Sequence, residues 1–208
     1  MIQRKRVTGS LVGALNAGRS RDSAEKWVRL LDSAPGRSDE REVFAAQCFQ
    51  SSLGPMLAVA DDRGVCMLKF LDGQGVEAAV ERLRDRGRRI VVLRVHPHLT
   101  AVRRQVKEYF AGKRREFDVP LRFDGTPFQN RAWAFLRTIP FGETRTYAEA
   151  AGALGNERAV RAAGRANGTN RVVILVPCHR LLGADGALTG YGGGVARKRW
   201  LLDHERRS

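Results

Sequence analysis

A cysteine followed at once by a histidine, Cys178-His179, is the pair in this chain best suited to covalent chemistry. A thiol becomes a strong nucleophile as its thiolate, and an adjacent imidazole with nearby cations favours that form. The pair ends the run Val-Val-Ile-Leu-Val-Pro-Cys-His-Arg at residues 172–180. Five apolar residues in a row read as a short, fully buried strand. Pro177 cannot donate to a ladder, so the strand stops there and sets Cys178 at its mouth. The competing reading is a buried structural cysteine beside a surface histidine. Two features favour an open pocket instead: the proline stop, and a tail dense in glycine (183, 186, 190 and 192–194) with Tyr191 inside it. A last helix predicted over 196–205 carries Trp200, Leu201 and His204 and ends with Glu205 before two arginines. Its carboxylate could orient the imidazole and complete a Cys-His-Glu relay. By spacing alone, a surface charge on a fraying helix end is the preferred reading of Glu205.

The elements that must position this pair are well signalled upstream. Thr126 is placed as an N-cap, with Pro127 at the first helical position and Gln129 completing a capping box. Phe128, Ala132, Phe135 and Leu136 give that helix an apolar face, and Ile139-Pro140-Phe141-Gly142 breaks it. Thr146 with Glu149 forms a second capping box, opening a helix to about residue 154. Gly155-Asn156 makes a turn, and Asn156 caps a helix over 157–167 that Gly168 is placed to end. This is helix-turn-helix spacing. Arg158, Arg161 and Arg165 form one basic stripe, with Ala159, Ala162, Ala163, Gly164 and Ala166 between them. Small residues let a helix approach another surface closely, and arginines so spaced fit phosphates or a nucleic-acid groove. The alternative is a solvated arginine face above an alanine-rich packing face.

The first half reads as scaffold. Residues 43–120 have the rhythm of a small α/β domain. Strands at 56–60 and 65–70 flank the turn 61–64, a helix covers 76–86, a strand 90–95, and a helix 100–110. His96 and His98 flank Pro97 in a loop, without the carboxylate or thiol neighbours a metal would need. Residues 1–42 look like a polar, basic appendage with one amphipathic helix at 24–31, and 113–126 like a connector. The expected division is therefore 1–42, 43–120 and 121–208.

The 208 residues are enough for one large domain or two small ones. The net charge of +15 rises along those three segments, +3, +5 and +7, toward the cysteine. Such an excess points to a polyanion, nucleic acid first and anionic membrane second. Three cysteines without Cys-x-x-Cys spacing argue against a disulfide framework and a cysteine-rich zinc site. With no apolar run of spanning length and no signal-peptide core, the expected location is a reducing cytoplasm.

Taken together, these residues resemble the O6-alkylguanine-DNA alkyltransferases, the direct-reversal repair family, in a bacterial form. The motifs are Pro177-Cys178-His179-Arg180, Gly125-Thr126-Pro127-Phe128-Gln129 and Ile139-Pro140-Phe141-Gly142-Glu143-Thr144. The helix of Tyr147, Arg158-Ala159-Val160-Arg161, Asn170 and Trp200-Leu201-Leu202-Asp203-His204-Glu205 also match. The resemblance covers about residues 50–206. It implies an α/β, ribonuclease H-like N-terminal domain and a mainly helical, winged-helix-like C-terminal domain. By resemblance, Cys178 accepts the alkyl group, His179 is its base through a water, and Glu205 polarises the imidazole. Asn170 holds the strand and active-site loop, Tyr147 hydrogen-bonds and protonates the flipped guanine, and Lys198 is a family lysine near the site.

The same resemblance gives Arg161 the place of the extruded base, with Arg158, Arg165, Ala159, Val160, Gly164 and Thr146 on the DNA. Pro177, Leu181, Tyr191, Gly192 and Gly193 would line the alkyl pocket. The implied substrate is double-stranded DNA carrying O6-alkylguanine, extended to O4-methylthymine, with one turnover, no cofactor and no metal. A monomer is expected, with cooperative binding along DNA left open. Two departures stand out. Glycines replace a serine or larger residue of many relatives at 190–194, and the zinc-bearing cysteine domain of the bacterial adaptive-response protein is missing. The rival readings are a DNA-binding module without chemistry, which Cys178 argues against, and a Cys-His hydrolase, which would turn over repeatedly.

Overall fold

The computed structural model describes residues 42–73, 75–85 and 89–208. The predicted helix at 24–31 lies outside them. The described residues divide into two compact units, one holding those up to Glu108 together with Val119–Arg122, the other Tyr109–Asp118 with Phe123–Ser208.

Among the described residues, the first unit is a four-stranded sheet with two helices. Strand β1 (Glu42–Ser51) pairs antiparallel with β2 (Gly54–Asp61), which pairs antiparallel with β3 (Gly64–Phe70). Helix α1 (Val76–Asp85) then crosses to β4 (Arg89–Leu93), which lies parallel to β1, giving the order β3-β2-β1-β4. The predicted hairpin is present, and its turn has a clear cause. Asp61 Oδ1 accepts from the N–H groups of Arg63 (3.0 Å) and Gly64 (3.1 Å). Gly64 has φ +144°, and a Cβ there would lie 2.7 Å from the carbonyl oxygen of Pro120. The sequence reading missed β1. Its run Phe44-Ala45-Ala46 is buried on both faces, so it lacks the alternation that marks a half-exposed strand. Arg122, which ion-pairs with Asp61 and Glu42, stacks over the Phe44 ring at 5.1 Å.

Helix α2 (Pro97–Phe110) starts earlier than predicted and corrects the reading of the two histidines. His98 sits in its first turn, not in a loop. His96 accepts the His98 N–H at Nδ1 (3.2 Å) and meets Asp62 Oδ1 at 3.1 Å through Nε2. Both ring nitrogens of His96 are thus used in fixing the helix start.

The second unit is mainly helical. Helix α3 (Pro127–Thr138) has the predicted capping box, Thr126 with Gln129 and Pro127 at the first position. The two-residue β5 (Arg145–Thr146) leads into α4 (Tyr147–Ala153), whose capping box of Thr146 and Glu149 is also formed. Asn156 caps a 3-10 turn, Glu157–Ala159, that runs on into α5 (Val160–Gly168). Gly168 does not terminate it through a left-handed conformation. The helix closes at Thr169 with φ −88°. Ala150, Ala151, Ala163 and Ala166 are buried, and Trp133 Nε1 donates to the Ala166 carbonyl at 3.0 Å, locking α5 on α3. Among the described residues no helix is long and apolar enough to cross a membrane.

The apolar run before Cys178 is buried, as expected, but it is not a strand. Residues 172–176 double back on themselves, with the Leu175 N–H bonded to Val173 O (2.9 Å) and Val176 N–H to Val172 O (2.9 Å). Ile174 takes φ +74°, a left-handed conformation that costs a β-branched residue energy. Asn170 holds the loop shut. Its Oδ1 accepts from Val172 N–H and its Nδ2 donates to Val176 O, both at 2.9 Å and both buried. A five-residue run fastened at its two ends by one side chain cannot extend into a ladder, which is why apolar periodicity misread it. Asn170→Ala strands the buried Val172 N–H and leaves the Val176 carbonyl with only the Cys178 N–H (2.8 Å), and the expected cost is about 2 kcal/mol. Urea denaturation of the variant measures it.

Candidate active site

The loop delivers the chain into a 3-10 turn, Cys178–Arg180, followed by β6 (Leu181–Leu182), which pairs in parallel with β5. Cys178 is 4 % exposed, and His179 is fully buried. Helix α6 (Val195–Arg207) brings Glu205 against the turn, with its carboxylate inside the unit. The spacing-based reading of Glu205 as a surface charge is therefore overturned: packing of α6, not position near a helix end, decides its burial.

Five donors surround that carboxylate. Oε1 accepts from Tyr109 OH (2.7 Å), His179 Nε2 (2.7 Å) and Arg180 Nη2 (3.0 Å). Oε2 accepts from Arg180 Nε (2.8 Å) and the Gly142 N–H (3.2 Å). Burial alone would push the carboxyl upward, but the hydrogen bonds from His179 and Arg180 and the Arg180 charge outweigh it and hold Glu205 below the usual carboxylate range. The carboxylate is thus ionised at neutral pH and can only accept hydrogen bonds.

Its charge settles the imidazole tautomer. Nε2 of His179 faces an acceptor and must carry a proton. Burial lowers the His179 value, with Arg180 and Lys198 adding to the effect and Glu205 opposing it. The ring is therefore neutral at pH 7, and Nδ1 keeps its lone pair. Among the described residues that buried nitrogen has no hydrogen-bond partner. The unit thus places a neutral imidazole with an open basic nitrogen one residue from a thiol.

Lys198, also on α6, is fully buried and donates from Nζ to the carbonyls of Leu181 (2.5 Å) and Thr189 (2.9 Å). Burial brings its ammonium down to about 8, with Cys178 pulling the other way. It ties the segment after the turn to the glycine-rich loop. That loop brings the Tyr191 ring edge-on to His179, with centroids 6.4 Å apart, and buries the Tyr191 hydroxyl. The Tyr147 ring lies 5.9 Å from Lys198 Nζ, and Asn167 Nδ2 donates to its hydroxyl at 3.4 Å. Thr146 caps this helix, and Gly164 faces the same ring. Arg158, Arg161 and Arg165 are exposed on the second helix of the pair, beside Val160 (38 % exposed) and Ala159. Their side chains have no polar partner among the described residues.

This arrangement matches a known family over most of its length. Residues 46–123 fit the description "6-O-methylguanine DNA methyltransferase, ribonuclease-like domain", and residues 127–207 fit its DNA binding domain. The chain belongs to the 6-O-methylguanine DNA methyltransferase family. A methylated-DNA–protein-cysteine methyltransferase of Methanosarcina acetivorans is 40% identical over 158 residues, which is 76% of this chain and 95% of the relative. The corresponding protein of Mycobacterium tuberculosis is 57% identical over 102 residues, 49% of this chain. That match spans 62% of the mycobacterial protein's length. Among solved structures, the Mycobacterium tuberculosis protein in complex with DNA superposes with a TM-score of 0.67 at 39% identity, covering 79% of this chain and 93% of the other.

The two-domain architecture read from the sequence is the methyltransferase architecture observed here. The site residues fall into three groups. Cys178, His179, Glu205, Lys198 and Tyr191 are gathered around the 3-10 turn, with Tyr147 beside Lys198. Asn170 acts on the loop before it. Pro177 lines a cleft of about 300 Å³ with Arg115, Arg137 and Phe141, and Leu181 a small apolar gap with Leu136 and Ala163. Gly192 is exposed and Gly193 buried, and neither lines those two cavities.

Sequence reasoning missed Tyr109 and the Gly142 N–H, and gave Arg180 no role. Nothing in local spacing connects Tyr109 to a residue 96 positions away. Gly142 did carry a signal, the break Pro140-Phe141-Gly142. Its φ of +80° turns its N–H toward Glu205 Oε2, and a Cβ there would lie 3.1 Å from the Glu205 carbonyl oxygen.

Proposed function

We propose that this protein repairs O6-alkylguanine in double-stranded DNA by moving the alkyl group irreversibly to Cys178, once per molecule. The observation that carries the reading is the Glu205–His179 pair. A buried, ionised carboxylate holds Nε2–H and leaves Nδ1 basic on the residue that follows Cys178. The thiol proton passes to His179 through a water, and the sulfur attacks the alkyl carbon. The new S–C bond forms as the C–O6 bond breaks, and its electron pair returns to the purine. The purine takes a proton from the Tyr147 hydroxyl, which is replenished from solvent. The product is a thioether with no good leaving group, so the protein stops after one event. No cofactor enters any step, and a monomer suffices for all of them. O4-methylthymine presents the same kind of exocyclic ether carbon and is a second substrate in this reading.

The target carbon cannot meet a buried sulfur while the base is stacked, so the nucleotide must leave the duplex. The exposed arginines of the second helix support phosphate contact, and Arg161 is assigned the space of the extruded base. Arg161→Ala is expected to slow reaction on duplex DNA by at least about tenfold while changing reaction with free O6-benzylguanine less than about twofold, a differential loss of at least about 1 kcal/mol. Equal losses on both substrates remove Arg161 from this role. The proposal as a whole is tested by titrating a methylated duplex against the protein. Restored guanine should level off at one equivalent per chain, whereas continued turnover would point to a hydrolytic Cys-His enzyme instead.

A further inference from the structure

Tyr109 is a donor on Glu205 that the transfer chemistry above does not use. Its ring is fully buried at the end of α2 and held on several sides. Phe110, Phe117, Phe141 and His204 pack around it at centroid distances of 5.2–6.1 Å. His204 Nε2 lies 2.8 Å from the Tyr109 carbonyl oxygen and fixes the backbone as well. The hydroxyl therefore has one direction open to it, toward Glu205 Oε1. Burial, and after it the Glu205 charge, push the phenol well above its ordinary range, so it remains a donor at every working pH.

Oε1 takes three donors, from Tyr109, His179 and Arg180. They share the negative charge of one oxygen, so each weakens the pull on the others. We infer that Tyr109 is a positioning residue that acts through Glu205, anchoring the carboxylate and limiting its pull on His179 so that the imidazole stays neutral with Nδ1 open. The inference rests on the reading of His179 as the base for Cys178. The other groups facing the imidazole are Lys198 from α6, Arg180 from its own turn, Cys178 beside it, and Tyr191 from the glycine loop. Lys198 and Arg180 also disfavour an imidazolium. Glu205 alone favours it, and Tyr109 acts on Glu205.

The test is a titration of the His179 imidazole by nitrogen-15 NMR in the full chain, wild type against Tyr109→Phe. The variant keeps the ring and its packing and removes only the hydroxyl. Its midpoint is expected to rise by about one pH unit, a tenfold gain in proton affinity. The acid limb of the single-turnover rate on a methylated duplex should move upward in step. A loss of packing would lower the rate at all pH values without moving either midpoint, and that result overturns the inference. Should Tyr109→Phe fail to fold, Tyr109→3-fluorotyrosine provides the opposite arm. Its more acidic hydroxyl is a stronger donor and should lower the His179 midpoint, and an unchanged or raised value overturns the inference. If the wild type transfers no methyl group, the proposed function fails while the NMR midpoints still decide the role of Tyr109.

Discussion

Glu205→Ala is expected to destabilise the protein by about 3–5 kcal/mol, because it strands the buried Arg180 guanidinium without its charge partner. Arg180 loses both arms of its bidentate contact and keeps only its bond to the Ile139 carbonyl. Tyr109 OH, His179 Nε2 and the Gly142 N–H lose their acceptor as well. Methyl transfer by whatever fraction remains folded should fall by about 10²–10⁴-fold, the usual contribution of a positioned base, since nothing then fixes the imidazole tautomer. Chemical denaturation with single-turnover assays on the folded fraction separates the two effects. The pH dependence has a definite sign. Glu205 is held below its ordinary 4.5, so its contribution is fully present above that value and is lost as pH falls through the lower, folded-state value. Wild type should therefore lose stability on acidification below about pH 4.5, and the variant should show less of that loss. A variant as stable as wild type would contradict the burial of this charge.

Cys178→Ser should abolish transfer while leaving duplex binding within about threefold, a change worth less than 1 kcal/mol. Serine fits the same buried space on the 3-10 turn. Its hydroxyl is far less acidic than a thiol, and a neutral imidazole cannot supply enough alkoxide at pH 7. In the proposed reading binding rests on the exposed arginines of the helix pair and on other surface charge, which the substitution leaves untouched. Electrophoretic mobility shift at fixed salt, run beside the transfer assay, reads both. Substantial transfer by the serine variant would move the acceptor elsewhere.

What the sequence revealed and what it hid follow a physical division. The two capping boxes, Thr126 with Gln129 and Thr146 with Glu149, were legible because each is closed within four residues. So was the hairpin turn, set by Asp61 and Gly64. The run at 172–176 has the composition of a strand, and only Asn170, reaching both ends, makes it a loop. Glu205 shows the same limit from the other side. Spacing favoured solvent, family resemblance favoured the relay, and the resemblance matched the geometry because it carries information about packing that no local pattern contains. Tyr109 lay beyond both, since its role depends on α2 ending beside α6. Pro177 and Leu181 flank the Cys178–Arg180 turn in sequence, and each lines a cavity that no local pattern signalled.

The measurement that tests the central claim most directly is the intact mass of the protein after incubation with a duplex containing O6-methylguanine, followed by peptide mapping. The account predicts a gain of one methyl group, confined to the peptide holding Cys178 and saturating at one equivalent. An unchanged mass with the duplex still bound, or a methyl group on any other residue, would contradict it.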